Sequence, residues 1–347
     1  MVRLCVRAAG LAAALAAITG ALFVGAPARA AMVGSGTTST GIYAPLDAAS
    51  PPLTVPAAAL SAALTCNGNL AEGPRPVLLV HGTALEPGPN FSWNYELGLT
   101  ASGRPWCAVS LPNNAMSDAQ ISAQYVVSAI RAMHAASGQP INILGYSQGG
   151  MLPRWALRFY PDTRAMVKNL VAIDPSNHGT LDAVGICVPG CAASFWQQRT
   201  ASNFLTALNS GAETFPGINY TVIYSDTDEV VVPNIAPVAS SSLHTGNGLI
   251  ENIAVQSICP LDVSEHLLMG TVDPVAYALA MNAFTHDSVA NPAQVPASTC
   301  LSGLAPDVDP LTFAGNFTTL TLYIAHSIAT APLVSAEPSL DSYVFAH

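Results

Sequence analysis

The stretch that most constrains this 347-residue chain is INILGYSQGG, residues 141–150. Ile141 to Leu144 suit a buried strand, and glycines stand two residues before and two residues after Ser147. A strand can turn sharply at such a serine because no Cβ obstructs the bend on either side. Residues 151–160 (MLPRWALRFY) then read as a helix. A helix that opens at Gln148 aims free backbone N–H groups and the positive end of its dipole at the serine side chain. Pro153 lies within the first two turns and removes one backbone hydrogen bond, so a kinked or late-starting helix is expected.

Strand, G-x-S-x-G and helix, in that order, describe the nucleophile elbow of an α/β-hydrolase. The remaining pattern agrees. Short apolar runs at 76–82 (PVLLVHG), 107–111, 169–174, 220–225 and 251–257 read as further strands. Residues 119–137 place Ile121, Tyr125, Val126, Ile130 and Met133 on one helical face, and helices are expected near 273–285 and 312–329. Strands that are apolar throughout and alternate with helices predict a mostly parallel central sheet flanked by helices, an α/β fold. Residues 178–218, rich in Gly, Cys and Ala, interrupt the alternation and read as a cap-like insertion.

The first 30 residues carry two early arginines, a long apolar run and Ala28-Arg29-Ala30, a small-x-small cleavage site. This reads as a secretory signal peptide cut near Ala30, so a secreted protein is expected. Residues 31–60 read as a low-complexity leader, and 61–347 as the hydrolase domain. Cleavage leaves eight Lys and Arg against 21 Asp and Glu, a formal charge of −13. No basic patch can be assembled from so few cations, which argues against a nucleic-acid partner. Six cysteines remain: Cys66, Cys107, Cys187, Cys191, Cys259 and Cys300. An even number in a secreted chain suggests disulfides, and spacing suggests Cys187–Cys191 as a local clip. A C-x₃-C pair with no histidine nearby is a poor metal site, so no metal is expected.

A lone serine is a weak nucleophile and needs a base oriented by an acid, here in the chain order Ser, Asp/Glu, His. The segment YTVIYSDTDEVVVP offers Asp226, Asp228 and Glu229 in the turn after a strand, and the residues themselves leave that choice open. ENIAVQSICPLDVSEHLLMG offers His266 after the next strand. His178 and His244 follow no suitable acid and strand, while His286, His326 and His347 lie on or after helices. The second oxyanion donor belongs in the loop after an early strand, where Gly82-Thr83 stands; His81 before it is assigned a role in shaping the loop.

From about Cys66 to Phe345 the chain resembles the family of lipase B from Candida antarctica. LLVHGT, GYSQGG, SFWQQRTAS, YSDTDEVVVP and the EH shortly after Cys259 carry the resemblance, in matching order and spacing. It implies an α/β-hydrolase acting on carboxylic esters, acylglycerols among them, without a cofactor. It implies Ser147 as nucleophile, Asp228 as acid, His266 as base, and Thr83 and Gln148 as oxyanion donors. Asp174 matches a buried acid near the family's active site, with a structural hydrogen-bonding role expected. The resemblance further implies the disulfides Cys66–Cys107 and Cys259–Cys300. Where the family has tryptophan before the serine this chain has Tyr146, which is expected to reshape the alcohol-side pocket. The family's C-terminal disulfide and tail are missing. The helix at 312–329 matches one bordering the active-site entrance, which puts Leu320, Ile324 and Ile328 in reach of an acyl chain, with core packing as their other reading.

The expected substrate is therefore a small-molecule or lipid ester, with transient contact at a lipid interface allowed and no obligate protein partner implied. A polyester or cutin hydrolase, or an acyltransferase, would use the same residues. An inactive hydrolase-like binding protein is disfavoured by the intact Ser-Asp-His order.

Overall fold

The computed structural model describes residues 43–187 and 190–346. The expected signal peptide lies outside them, as do the first residues of the leader. Seven strands form one sheet: β1 (Leu64–Asn67), β2 (Val77–Val80), β3 (Trp106–Val109), β4 (Ile141–Tyr146), β5 (Val167–Ile173), β6 (Asn219–Tyr224) and β7 (Leu249–Ala254). Their spatial order is β1-β3-β2-β4-β5-β6-β7. Only β1 runs antiparallel, against β3; every other pairing is parallel. The six parallel strands overlap the expected ones, with shifted ends; the last was expected at 251–257, but β7 stops at Ala254 and Val255–Ser257 is a 3-10 turn. β1 was not foreseen because it is an edge strand with three exposed residues, and its sequence LTCN carries no apolar run.

Alternation along β2 shows why the sheet is covered on both sides. Leu78 and Val80 enter a core with the helices α1 (Ala119–Ser137) and α2 (Gln148–Phe159), on one face. Val77 and Leu79 enter a second core on the other face. Burying one strand on both faces requires apolar residues at successive positions, hence the continuous VLLV.

Three short helices follow β5: α3 (Asp182–Ile186), α4 (Ala193–Gln197) and α5 (Asn203–Leu208). Phe204, Leu205 and Leu208 of α5 belong to the α1/α2 core, and Phe204 stacks on Trp155 with ring centroids 4.2 Å apart. After β7 come α6 (His266–Met269), α7 (Pro274–His286) and α8 (Phe313–Thr330). α7 fills the second core, while in α8 only Leu320 and Ser327 are buried.

Residues from Tyr43 onward pack on the domain. Gln124 accepts the backbone N–H groups of Thr54 (2.6 Å) and Val55 (3.0 Å), and Arg158 donates to the carbonyl of Ala44 at 2.7 Å. Tyr43 forms an antiparallel bridge with Phe345, and their rings stack at 6.1 Å. All three expected disulfides are present: Cys66–Cys107, Cys187–Cys191 and Cys259–Cys300. The first joins facing residues of β1 and β3.

Candidate active site

The elbow is built from close approach of backbone to backbone. Ser147 has φ 54° and ψ −124°, a region that side chains disfavour and that must be held by its surroundings. A Cβ at Gly145 would overlap the carbonyl of Gly149, and a Cβ at Gly149 would overlap the carbonyl of Val80. Neither neighbour is a flexible side chain, so both glycines are obligatory. The expected late start does not occur: α2 begins directly at Gln148 and continues through Pro153. Proline there leaves the Gly149 carbonyl without its i+4 donor. That same oxygen abuts Gly145, so the lost bond falls where the backbones are already crowded.

Loops at the carboxyl ends of β4, β6 and β7 bring three side chains into line. Ser147 Oγ lies 3.1 Å from His266 Nε2, and His266 Nδ1 lies 2.8 Å from Asp228 Oδ2. All three residues are buried. Asp228 Oδ1 accepts the backbone N–H groups of Val230 (2.8 Å) and Val231 (2.9 Å), which fixes the carboxylate and leaves Oδ2 for the imidazole. Asp226 makes no such bond to His266; its own backbone N–H donates to Gln256. Geometry thus separates two acids that spacing left equivalent.

His266 is held from behind. Its backbone N–H donates to Glu229 at 3.2 Å, and its carbonyl accepts the Tyr146 hydroxyl at 3.0 Å. Tyr146 is 2% exposed, and its ring lies between Gly82 and Gly270. It therefore braces the histidine segment. Burial pulls the His266 pKa down, but the charge and hydrogen bond of Asp228, with Glu229 and Glu265, outweigh it and raise the value above the ordinary 6.5.

Asp174 sits at the end of β5 with φ 42°, fully buried. Its Oδ1 accepts the Ser225 N–H (2.9 Å) and the Asn234 amide (3.2 Å), while Oδ2 has no partner among the described residues. Burial first, then the charge of Asp228, push this carboxyl well above the usual range. Both causes disfavour the charged form there. One ligand atom from each of Asp174, Asp228 and His266 falls within a 4.8 Å cluster. Both nitrogens of His266 are already engaged by Ser147 and Asp228, so a cation there would have to break that alignment.

On the other side of Ser147 stands the loop after β2. His81 is buried, accepts the Leu111 N–H on Nε2 (3.0 Å) and bonds the Gly82 carbonyl through Nδ1 (2.9 Å). Burial pushes its pKa down to about 4, and it acts as a neutral spacer. Thr83 Oγ1 accepts the Gln198 amide at 3.0 Å. Gln148, as the first residue of α2, has a backbone N–H with no intrahelical acceptor. Of the residues expected to meet an acyl chain, Leu320 is 1% exposed in the second core. Ile324 packs against the cluster of Ala84, Met116 and Ala192 as well as the second core, and Ile328 is 45% exposed.

Gln198, Ser176 and Asn234 escaped the sequence reading. Their side chains make contacts across many residues of chain, and no spacing rule marks them. The sequence signal for Gln198 was its place in SFWQQRTAS, one of the segments that carry the family resemblance, which gave the residue no role of its own.

A family model described as Lipase (class 2) matches residues 74–253, which is more than half of the chain. Lipase B of Pseudozyma antarctica is 35% identical over 226 residues, which span 62% of this chain and 64% of that protein, just under two thirds of its length. The crystal structure of Aspergillus fumigatus lipase B superposes with a TM-score of 0.79 at 28% identity, covering 92% of this chain and 77% of that one. That likeness extends to the seven-stranded sheet and its flanking helices, an α/β-hydrolase fold. With its elbow at the end of β4 and a family match running from ahead of β2 into β7, the chain belongs to the class 2 lipase family.

Proposed function

We propose that this protein is a secreted serine hydrolase that cleaves carboxylic esters of acylglycerol type through an acyl-enzyme. The alignment of Ser147 Oγ, His266 and Asp228 at 3.1 Å and 2.8 Å carries the proposal. His266 Nε2 takes the Ser147 proton as Oγ attacks the ester carbonyl carbon. Negative charge gathers on the carbonyl oxygen and is met by the backbone N–H of Gln148 and by the N–H and hydroxyl of Thr83. The intermediate collapses, the C–O bond to the alcohol breaks, and the alcohol leaves with the proton carried by His266. Water enters by the same route and releases the acid. Asp228 holds the imidazole in register and offsets its transient charge.

The names of the relatives, both lipases, support an uncharged lipid-like ester as substrate. Ile324, which packs against the cluster that includes Ala84, and Ile328 one turn further along α8 are assigned to the acyl chain. Secretion is supported by the small-x-small site at Ala28–Ala30 and by three disulfides, which persist in oxidising compartments. Mass spectrometry of the exported chain should then give a mature start at Ala31, and an intact Met1 would contradict it.

The deciding assay is hydrolysis of p-nitrophenyl esters of two to sixteen carbons by wild type and Ser147→Ala. Hydrolysis that peaks at medium or long chains and falls by about 10⁶ in the variant is expected. Equal rates for both proteins would remove Ser147 from the chemistry and leave a hydrolase-like binding protein.

A further inference from the structure

The segment SFWQQRTAS contains two adjacent buried glutamines that the proposed chemistry does not use. Gln197 donates to Asp118 Oδ1 at 2.6 Å and accepts the Ala119 N–H at 2.7 Å, which pins α4 to the start of α1. Gln198 faces the other way. Its backbone carbonyl accepts the Thr180 N–H at 2.8 Å. Its side chain is 5% exposed and lies between Ser176, Ser194 and Thr83.

The partners fix which end of the amide is which. The Ser194 backbone carbonyl, 3.3 Å away, can only accept, so the atom beside it is Nε2. The other end, Oε1, accepts the Ser176 hydroxyl at 2.9 Å. An amide nitrogen cannot accept, so Thr83 Oγ1, 3.0 Å from Nε2, must receive its hydrogen bond there. The Thr83 proton is thereby turned away from Gln198, and no other acceptor meets that hydroxyl among the described residues.

We infer that Gln198 is a positioning residue that occupies a lone pair of Thr83 Oγ1 and so aims the Thr83 hydroxyl proton at the oxyanion. The inference rests on Thr83 being an oxyanion donor, as proposed above. Without Gln198 the hydroxyl rotates freely and must be reoriented in each catalytic cycle. With an acceptor in its place the hydroxyl turns toward that acceptor and is withdrawn from the oxyanion.

The test is a double-mutant cycle on one p-nitrophenyl ester, with kcat expressed per Ser147 titrated by a fluorophosphonate. Thr83→Val, which keeps the N–H and the shape, should lower kcat by about 10²–10³. Gln198→Leu should lower kcat about tenfold with KM unchanged, and should have no further effect in the Thr83→Val background. Gln198→Glu, close to wild type in size, should fall below Gln198→Leu because its carboxylate captures the Thr83 proton. A merely structural role predicts the reverse order, and this comparison stands alone if Gln198→Leu does not fold. A Gln198→Leu effect that is absent, or is as large in the Thr83→Val background, overturns the inference. An inert Thr83→Val would reject the Thr83 hydroxyl as an oxyanion donor, leaving only its N–H, and the inference with it.

Discussion

At the scale of the residue, the proposed chemistry makes His266 the group through which pH acts on this candidate site. Burial disfavours its charge, yet Asp228 and two further acids hold its pKa above 6.5. The imidazole must be neutral to accept the serine proton, so kcat/KM should be lost as pH falls through that raised value. The acid limb of the profile is therefore expected above pH 6.5. Asp228→Asn removes the largest raising influence, so the limb should move to lower pH while the rate falls by about 10⁴. A limb that stays in place would mean that Asp228 does not control the imidazole. Ser147 and His266 were legible in the sequence because covalent spacing places them: a strand end and a glycine pair for one, the next strand's loop for the other. Asp226 and Asp228 were not separable that way, since both follow β6 in the same turn. What separates them is two backbone N–H groups, from Val230 and Val231, that seat only one carboxylate. Gln198 was less visible still, because its partner Thr83 is 115 residues away.

At the scale of the element, strands buried on both faces announced themselves through continuous apolar runs, and β1 did not. Only Leu64 of its side chains packs against the core, and pairing with β3 and the Cys66–Cys107 bond hold the rest. α2 shows a local rule yielding to context: proline's missing donor costs one hydrogen bond, and packing of an entirely buried helix keeps it continuous through that position. The loops flanking β6 are fastened by a buried acid that no sequence pattern flagged. Glu213 accepts His178 Nε2 at 2.6 Å and the N–H groups of His244 (2.6 Å) and Thr245 (2.7 Å). Burial alone would raise its pKa; the His178 hydrogen bond, the Arg154 charge and the His244 N–H instead hold it at about 2. A depressed acid stabilises the fold fully above its unfolded value of 4.5 and ceases to do so as pH falls through about 2. Glu213→Gln should thus lower the unfolding free energy at pH 7 by about 1–3 kcal/mol, measured in urea. The gap between the two proteins should close toward pH 2, and a gap independent of pH would assign the loss to packing.

At the scale of the whole molecule, the alternation of strands and helices was enough to place a parallel sheet, and the order of Ser, Asp and His along the chain pointed to the candidate site at its carboxyl edge. Residues 178–218 were harder to read because they mix two jobs. α5 contributes Phe204 and Leu208 to the α1/α2 core, while Gln198 just beyond α4 reaches Thr83. The meeting of Tyr43 with Phe345 has a use for rearranging the chain. Because those two residues already lie side by side, a short glycine-serine linker can join residue 346 to residue 43, and the chain can be reopened between Ser302 and Gly303. Both of those residues are exposed, and a Cβ added at Gly303 would meet only open space. Such a circular permutant should form the same three disulfides and hydrolyse esters at close to the parent rate. Loss of activity in a folded permutant would show that the path of the chain from α7 into α8, and not only the final placement of its parts, sets the geometry at Ser147.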